Sequence, residues 1–175
     1  TEKLGSGGSG IVLRAGRGII KLTLDAAEAR LATYSKRLGN PLLPVTYGAW
    51  VAPDELFVIY REELADYPFI SAEKWFTAMI SLDYATYRGH NLAEALGQNS
   101  GEVHPQDRPA YDYMSKWFLE MYHGPSKIRL RDLAPNNWGT RSGALVLRDA
   151  TSDSVSLRTV VLPRMGDPPP ERLVI

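Results

Sequence analysis

Two carboxylates and one amide in the C-terminal half are side chains of the types that can take part in phosphoryl transfer. Asp132 lies in an Arg-Asp-Leu sequence, and Asn137 follows it by five residues. Twelve residues later, the apolar run 145–147 leads to Asp149. A carboxylate can accept or orient an attacking hydroxyl, and carboxylate and amide oxygens are ligands that Mg²⁺ prefers. The set predicts Asp132 as the catalytic residue, with Asn137 and Asp149 as magnesium ligands.

A glycine-rich segment near the N-terminus predicts a phosphate-binding loop. Residues 5–12 read Gly-Ser-Gly-Gly-Ser-Gly-Ile-Val and satisfy the pattern G-x-G-x-x-G-x-V. Glycines let the backbone approach phosphates and point N–H groups at them, while Val12 would pack on a base. A flexible glycine-serine linker is the alternative. The strand pattern at 11–15 favours the phosphate loop and disfavours a dinucleotide fold, in which a helix would follow.

Lys21 and Glu28 form a second candidate pair for the same site. Lys21 ends a β-branched run, where its ammonium would point at phosphates under the glycine loop. Glu28 lies on the next predicted helix and would hold Lys21 in place. The sequence from Asp25 to Glu28 is also a capping box, in which Glu28 serves the start of the helix. Both roles of Glu28 remain open at this point.

The scaffold predicted for these residues begins with a β-β-β-α-β-β order over the first 60 residues. Gly16-Arg17-Gly18 separates two short apolar runs and indicates a hairpin. Asp25 and Gly39 mark the start and the stop of a helix. The predicted helix is 26–38, and predicted strands lie at 11–15, 19–24, 45–51 and 56–60.

The character of the chain changes after residue 61. Ser71 is predicted to cap a helix that runs through about Tyr87, and a second, aromatic-rich helix is predicted at 108–122. Between them, 97–107 is predicted to be a polar loop. Short extended pieces follow at 128–130 and 144–147, and then a proline-rich tail at 163–170. A sheet followed by helices is the α+β pattern.

Taken in order, these motifs resemble the protein kinase family over nearly the whole chain. The resemblance implies a two-lobed kinase-like fold. Its N-lobe (1–60) would hold a five-stranded antiparallel sheet with one helix, and its reduced, helical C-lobe (61–175) would hold the catalytic loop. It also implies ATP with Mg²⁺ as cofactor, and adenine held by the backbone near 61–64. The candidate ATP-binding residues are Gly5, Ser6, Gly7, Gly8, Ser9, Gly10, Val12, Ile19, Lys21, Glu62 and Leu64.

Several positions depart from the family pattern. Leu130 stands where histidine is usual, and Ala134 stands where Ser/Thr kinases usually have a lysine. Ala150-Thr151 replaces the Phe-Gly that usually follows the magnesium aspartate, and Lys21 to Glu28 is a shorter interval than usual. The acceptor is therefore open among Ser, Thr and Tyr hydroxyls.

The end of the chain resembles a much reduced kinase. Pro169-Pro170-Glu171 resembles the family's A-P-E signature, and four residues follow it, without the usual large helical subdomain. Compact kinases of short-tailed bacteriophages are similar in this respect. The resemblance then implies host proteins as substrates.

Composition excludes several classes of function. The chain has 20 basic and 20 acidic residues, which gives no basic field for nucleic acid or a membrane surface. It has no cysteine and so no thiol catalysis. No apolar run approaches the roughly 20 residues of a membrane span. We expect a soluble, cytoplasmic protein.

Three functions are compatible with these patterns, two of them phosphotransferases and the third a binding protein. The first is a protein kinase that phosphorylates Ser, Thr or Tyr hydroxyls of proteins, including hydroxyls of its own chain. The nearly complete glycine loop and the position of Arg131 before Asp132 favour it. A small-molecule kinase of the aminoglycoside-phosphorylating kind is favoured by the missing peptide-binding subdomain. An ATP-binding pseudokinase is favoured by the missing Phe-Gly and lysine.

Overall fold

The N-terminal part of the protein is a five-stranded antiparallel sheet with one helix. The structure is a computed structural model that describes residues 2–7 and 10–167. The sheet has the order β1-β2-β3-β5-β4. Its elements are β1 (Glu2–Gly7), β2 (Gly10–Ala15), β3 (Gly18–Thr23), α1 (Ala26–Leu38), β4 (Thr46–Val51) and β5 (Phe57–Glu62). The predicted β-β-β-α-β-β order and the antiparallel five-stranded sheet are confirmed.

Helices and short strands make up the rest, so that the fold is α+β as predicted. The elements are β6 (Ala65–Asp66), α2 (Ala72–Tyr87), α3 (Leu92–Asn99), α4 (Arg108–His123), β7 (Leu130–Arg131), β8 (Trp138–Arg141), β9 (Ala144–Leu147) and β10 (Thr151–Ser152). Strands β6, β8 and β9 form one small sheet, and β7 pairs with β10 in another. In the described residues, no helix is long and apolar enough to cross a membrane.

Local capping explains the bounds of α1. The Asp25 carboxylate accepts hydrogen bonds from the N–H groups of Ala27 (2.8 Å) and Glu28 (3.3 Å), which have no partner within the helix. At the other end, Gly39 adopts φ +57° and its N–H donates to Ser35. That left-handed conformation favours glycine and ends the helix.

The helix α3 and the strand β8 are among the elements that depart from the prediction. The predicted loop at 97–107 begins inside α3, a short helix capped by Asn91, which buries Leu92 and Leu96. Eight residues give little periodicity, and Gly97 and Asn99 are typical of loops. The predicted extended pieces also omit β8, which pairs with β9 through a turn with φ +50° at Ser142 and +82° at Gly143.

One hydrophobic core connects α1 with the helical part. Trp75 of α2 and Trp138 of β8 are almost fully buried, with ring centroids 5.7 Å apart in an edge-to-face arrangement. Leu31 of α1 and Phe118 of α4 belong to the same cluster. The core therefore fixes α1 relative to the segment that carries the predicted catalytic loop.

Candidate functional site

A buried cluster of four charges lies between the sheet and α1. The Lys21 ammonium is 2.8 Å from Glu28 Oε1 and 3.1 Å from Asp149 Oδ1. The Arg61 guanidinium is 2.7 Å from the same Asp149 oxygen. Lys21, Glu28 and Arg61 are each no more than 5% exposed. Two cations and two anions thus compensate one another, as burial of charge requires.

The register of the sheet brings these groups together. Residues opposite one another on neighbouring strands point to the same face. Val12 lies opposite Lys21, Lys21 opposite Ile59, and Ile19 opposite Arg61. This face therefore carries Lys21 together with Val12 and Ile19, which were predicted to line a nucleotide pocket.

The structure distinguishes the two roles considered for Glu28. Its carboxylate pairs with Lys21, whereas Asp25 provides the helix cap. The Asp25 N–H, which a reciprocal capping box would bond to Glu28, donates instead to Thr23 Oγ1 at 3.0 Å. The short interval between Lys21 and Glu28 suffices because β3 ends at Thr23 and α1 begins at Ala26.

Burial perturbs two members of the cluster. It raises the pKa of Glu28 above its usual value, and the neighbouring Lys21 ammonium opposes that shift. Burial lowers the pKa of Arg61, against the charges of Asp149 and Glu28. The Arg61 Nε is buried without a hydrogen-bond partner in the described part of the chain. Burial of the charged forms of Glu28 and Arg61 thus costs free energy, and perturbed pKa values of this kind are typical of functional sites.

The predicted catalytic loop has a special backbone at Asp132. Its φ of +57° is uncommon for a residue other than glycine, and such conformations concentrate at functional sites. The Asn137 side-chain N–H₂ donates to the Asp132 carbonyl at 2.9 Å, and the Trp138 Nε1–H donates to the Leu133 carbonyl at 3.0 Å. These bonds hold the loop while the Asp132 side chain remains exposed.

Strand pairing brings Asp132 and Asp149 to the same region. Asp132 follows β7 and Asp149 precedes β10, and these strands pair with Arg131 opposite Thr151. The Arg148 N–H also donates to the Asn137 carbonyl at 2.7 Å. A few backbone contacts therefore position Asp132, Asn137 and Asp149, the predicted catalytic residue and the two predicted magnesium ligands.

The donor atoms of Asn137 and Asp149 fit a magnesium ion. Asn137 uses its amide nitrogen in the loop, which leaves its oxygen for a metal. Both cations contact Oδ1 of Asp149, which leaves Oδ2 for the same purpose. Mg²⁺ prefers such oxygens and usually takes few from protein, with substrate phosphates and water completing its shell. Among residues 2–7 and 10–167, no group of three or more His, Asp or Glu side chains could hold a metal.

The glycine loop joins β1 to β2. Gly7 lies opposite Gly10, and β2 continues as a strand rather than a helix, as predicted. Gly10 has φ +150°, and a Cβ there would lie 2.0 Å from the Leu22 carbonyl oxygen, so that this position requires glycine. The candidate residues Gly8 and Ser9, like the Pro169-Pro170-Glu171 motif, lie outside the described residues.

The side chain of Glu62, a candidate ATP-binding residue, is engaged within the protein. Its carboxylate accepts from the Val45 N–H at 2.7 Å and from the Arg141 Nε at 3.0 Å. Alternation along β5 points Glu62 away from the face of Arg61, so that its side chain ties β4 to β8. Leu64, the other predicted residue here, packs beside Gly139, where a Cβ would lie 2.8 Å from the Leu64 Cβ.

Two residues of the site were missed by sequence reasoning. Arg61 had a signal, because it follows Phe-Val-Ile-Tyr in a strand whose face is otherwise apolar. Asp83 of α2, 3.3 Å from the Arg131 Nε, had none. Arg131 also contacts Asp153, at 3.4 Å, and so links α2 to the segment after Asp149.

Comparison with known proteins adds no family assignment, because neither a scan against protein-family models nor a search of curated proteins finds a match.

Proposed function

We propose that this protein is a cytoplasmic, ATP- and magnesium-dependent protein kinase that phosphorylates Ser or Thr hydroxyls of proteins, with Tyr and its own hydroxyls as further acceptors. The proposed fold is a minimal, divergent kinase fold that resembles those of short-tailed bacteriophages. The observation that supports it most is the contact of Lys21 with both Glu28 and Asp149. A strand lysine held by a helix glutamate beside an aspartate that could bind metal is the arrangement that protein kinases use for phosphoryl transfer.

Each residue has a defined part in binding. The backbone around Gly10 would cover the phosphates, and the Lys21 ammonium would donate to phosphate oxygens. Asn137 and Asp149 would hold magnesium, which supplies neutralisation of the charge on the phosphates. Val12 and Ile19, on the face of Lys21, would contact the adenine.

Transfer then depends on Asp132. The acceptor oxygen forms a bond to the γ-phosphorus while the bond to the bridging oxygen breaks, and ADP leaves. The hydroxyl proton passes to the Asp132 carboxylate. The bonds from Asn137 and Trp138 to the loop backbone keep that carboxylate in place, so that catalysis consists mainly of positioning.

A second candidate is an ATP-binding pseudokinase, and one observation favours it. Arg61 contacts Asp149 at 2.7 Å, on the residue where the metal would bind. A permanent cation there weakens the attraction of Asp149 for Mg²⁺. This candidate predicts ATP binding without transfer.

Incubation with labelled ATP, Mg²⁺ and a mixture of proteins tests the proposal. Asp132→Asn keeps the shape of the side chain, and asparagine tolerates positive φ well, so that the variant should fold and lose transfer. Asp149→Asn should also lose transfer. Asp112→Asn, an exposed site on α4, is the matched control and should stay active. Full transfer by either site variant would refute the proposal, and ATP binding without transfer by the wild type would favour the pseudokinase.

A further inference from the structure

An exposed apolar stripe runs along α2. Phe76, Ile80, Tyr84 and Tyr87 recur at helical spacing and are 47%, 54%, 58% and 74% exposed. Single exposed apolar residues are ordinary, but a contiguous row indicates a binding surface.

The stripe forms one wall of a groove whose other wall is the predicted catalytic loop. The groove has a volume of about 400 Å³ and is lined on the loop side by Arg131 to Ala134, Asp132 included. The Asp83–Arg131 contact of 3.3 Å fastens the helix to the loop. A molecule in this groove therefore lies beside the Asp132 carboxylate.

The charge of the groove restricts its occupant. Its carboxylates are Asp83 and Asp132, and its cation is Arg131, which already pairs with Asp83. A polycation such as an aminoglycoside would find only one uncompensated carboxylate in the groove, that of Asp132. An apolar side chain would instead pack on the aromatic rings and be shielded from water, so that the groove favours an apolar occupant.

We propose that this groove binds the acceptor segment of a protein substrate, with its hydroxyl at Asp132 and an aromatic or branched aliphatic side chain on Phe76, Ile80 and Tyr84. The inference rests on the proposed kinase function and adds a sequence preference around the acceptor. Phe76 and Tyr84 are about 12 Å apart along the helix axis, which an extended chain covers in roughly four residues. The apolar side chain therefore lies within about four positions of the acceptor.

Peptide phosphorylation tests this specificity. In peptides with one Ser, Thr or Tyr, Leu or Phe at a flanking position should raise kcat/KM about tenfold over Ser or Lys at the same position, as burial of one large apolar side chain allows. Ile80→Ser and Tyr84→Ser should abolish the preference mainly through KM. Leu24→Ser, 79% exposed in the N-terminal part, is the matched control and should retain it.

A binding measurement separates failure of the inference from failure of the proposed function. Fluorescence anisotropy with a Leu-flanked peptide whose acceptor is replaced by alanine requires no transfer. Binding that Tyr84→Ser weakens supports the groove even if the wild type phosphorylates nothing, in which case the kinase proposal alone is wrong. Transfer without flanking preference, transfer to aminoglycosides instead of peptides, or groove variants that change only the oligomeric state would each overturn the inference.

Discussion

At the scale of single residues, one carboxylate oxygen of Asp149 contacts two cationic side chains. Lys21 and Arg61 both contact Oδ1, at 3.1 and 2.7 Å. The lysine has a second anionic partner in Glu28, whereas the Arg61 Nε is buried without a partner among the described residues. Arg61 is thus the member of the cluster whose burial is least compensated.

Replacement of Arg61 should change the magnesium requirement. Arg61→Met removes one cation from Asp149, so that the carboxylate attracts a metal more strongly, and the magnesium concentration for half-maximal ATP binding should fall at least about threefold. Arg61→Lys keeps the charge and is the matched control, with a smaller change. Titration of ATP binding with Mg²⁺ measures this effect, and an increased magnesium requirement in Arg61→Met would show that Arg61 positions Asp149 instead.

Glu28→Gln should separate stability from activity. The folded protein holds the Glu28 proton more tightly than the unfolded chain, whose pKa is near 4.5, because burial raises the folded pKa against Lys21 and Arg61, with Asp149 adding to the rise. From pH 4.5 up to that higher pKa, the free energy of unfolding therefore falls as pH rises. The glutamine variant lacks this titration, so that its free energy of unfolding should fall less with rising pH over this range than that of the wild type.

Transfer by Glu28→Gln should nevertheless drop at least about tenfold, since Lys21 loses its charged partner. Urea unfolding from pH 4 to 8 and transfer from labelled ATP are the two measurements. Glu120→Gln, on the exposed face of α4, is the control and should alter neither. A Gln variant whose stability falls with pH as steeply as that of the wild type would contradict the expected sign.

The sequence predicted which residues form this site better than it predicted the contacts between them. Lys21, Asp132, Asn137 and Asp149 each belong to a local pattern that carries its own chemical meaning. The Arg61–Asp149 contact spans 88 positions and depends on the register of β3 with β5, which no local pattern encodes.

At the scale of elements, α1 is held at the end that carries Glu28. Asp25 caps the helix with Oδ1, and its Oδ2 accepts a hydrogen bond from Thr151 Oγ1 at 3.2 Å. One side chain therefore fixes the first turn of α1 and connects it to β10, two residues beyond Asp149.

Asp25→Ala should lower both stability and transfer. Loss of a helix N-cap costs about 1 kcal/mol. Asn91→Ala is a matched control, because Asn91 caps α3 through two comparable bonds, at 3.0 and 3.3 Å, away from the charge cluster. Urea unfolding should give the larger loss for Asp25→Ala, which also removes the bond from Thr151, and a transfer assay should show a decrease only for Asp25→Ala. Equal activities would mean that the cap of α1 does not position Glu28.

Residues that mark the start and the end of an element determined which elements could be predicted from the sequence. α1 was predicted with both of its bounds because Asp25 and Gly39 stand at its ends. β8 was not predicted because two of its four residues, Gly139 and Arg141, are atypical of a buried strand. Its place depends on contact with Ala65 and Leu64 and on the Arg141–Glu62 pair, which are tertiary interactions.

At the scale of the whole molecule, α1 connects the sheet to the core of the helical part. Ala29 of α1 packs with Ala49 of β4 and Ile59 of β5 in one cluster. Leu31 of α1, 1% exposed, packs in the cluster that contains Trp75 and Phe118. The two parts should therefore unfold together as one cooperative unit.

Leu31→Ala tests this coupling. A cavity at this buried position should reduce the free energy of unfolding by about 2–5 kcal/mol. Near- and far-ultraviolet circular dichroism should report one common transition that shifts as a whole. Leu24→Ala, at an exposed position, should change stability by less than about 0.5 kcal/mol. Two separate transitions, with one unaffected by Leu31→Ala, would show that α1 does not couple the sheet to the helical part.

The neutral sum of the buried cluster has a consequence for how nucleotide arrives. Lys21, Arg61, Glu28 and Asp149 cancel one another, and the chain as a whole has 20 charges of each sign. A site without a net field does not accelerate the approach of an anion by long-range attraction. For the proposed kinase, binding of ATP should accordingly depend on diffusion and fit, and its association rate should change little between low and physiological salt.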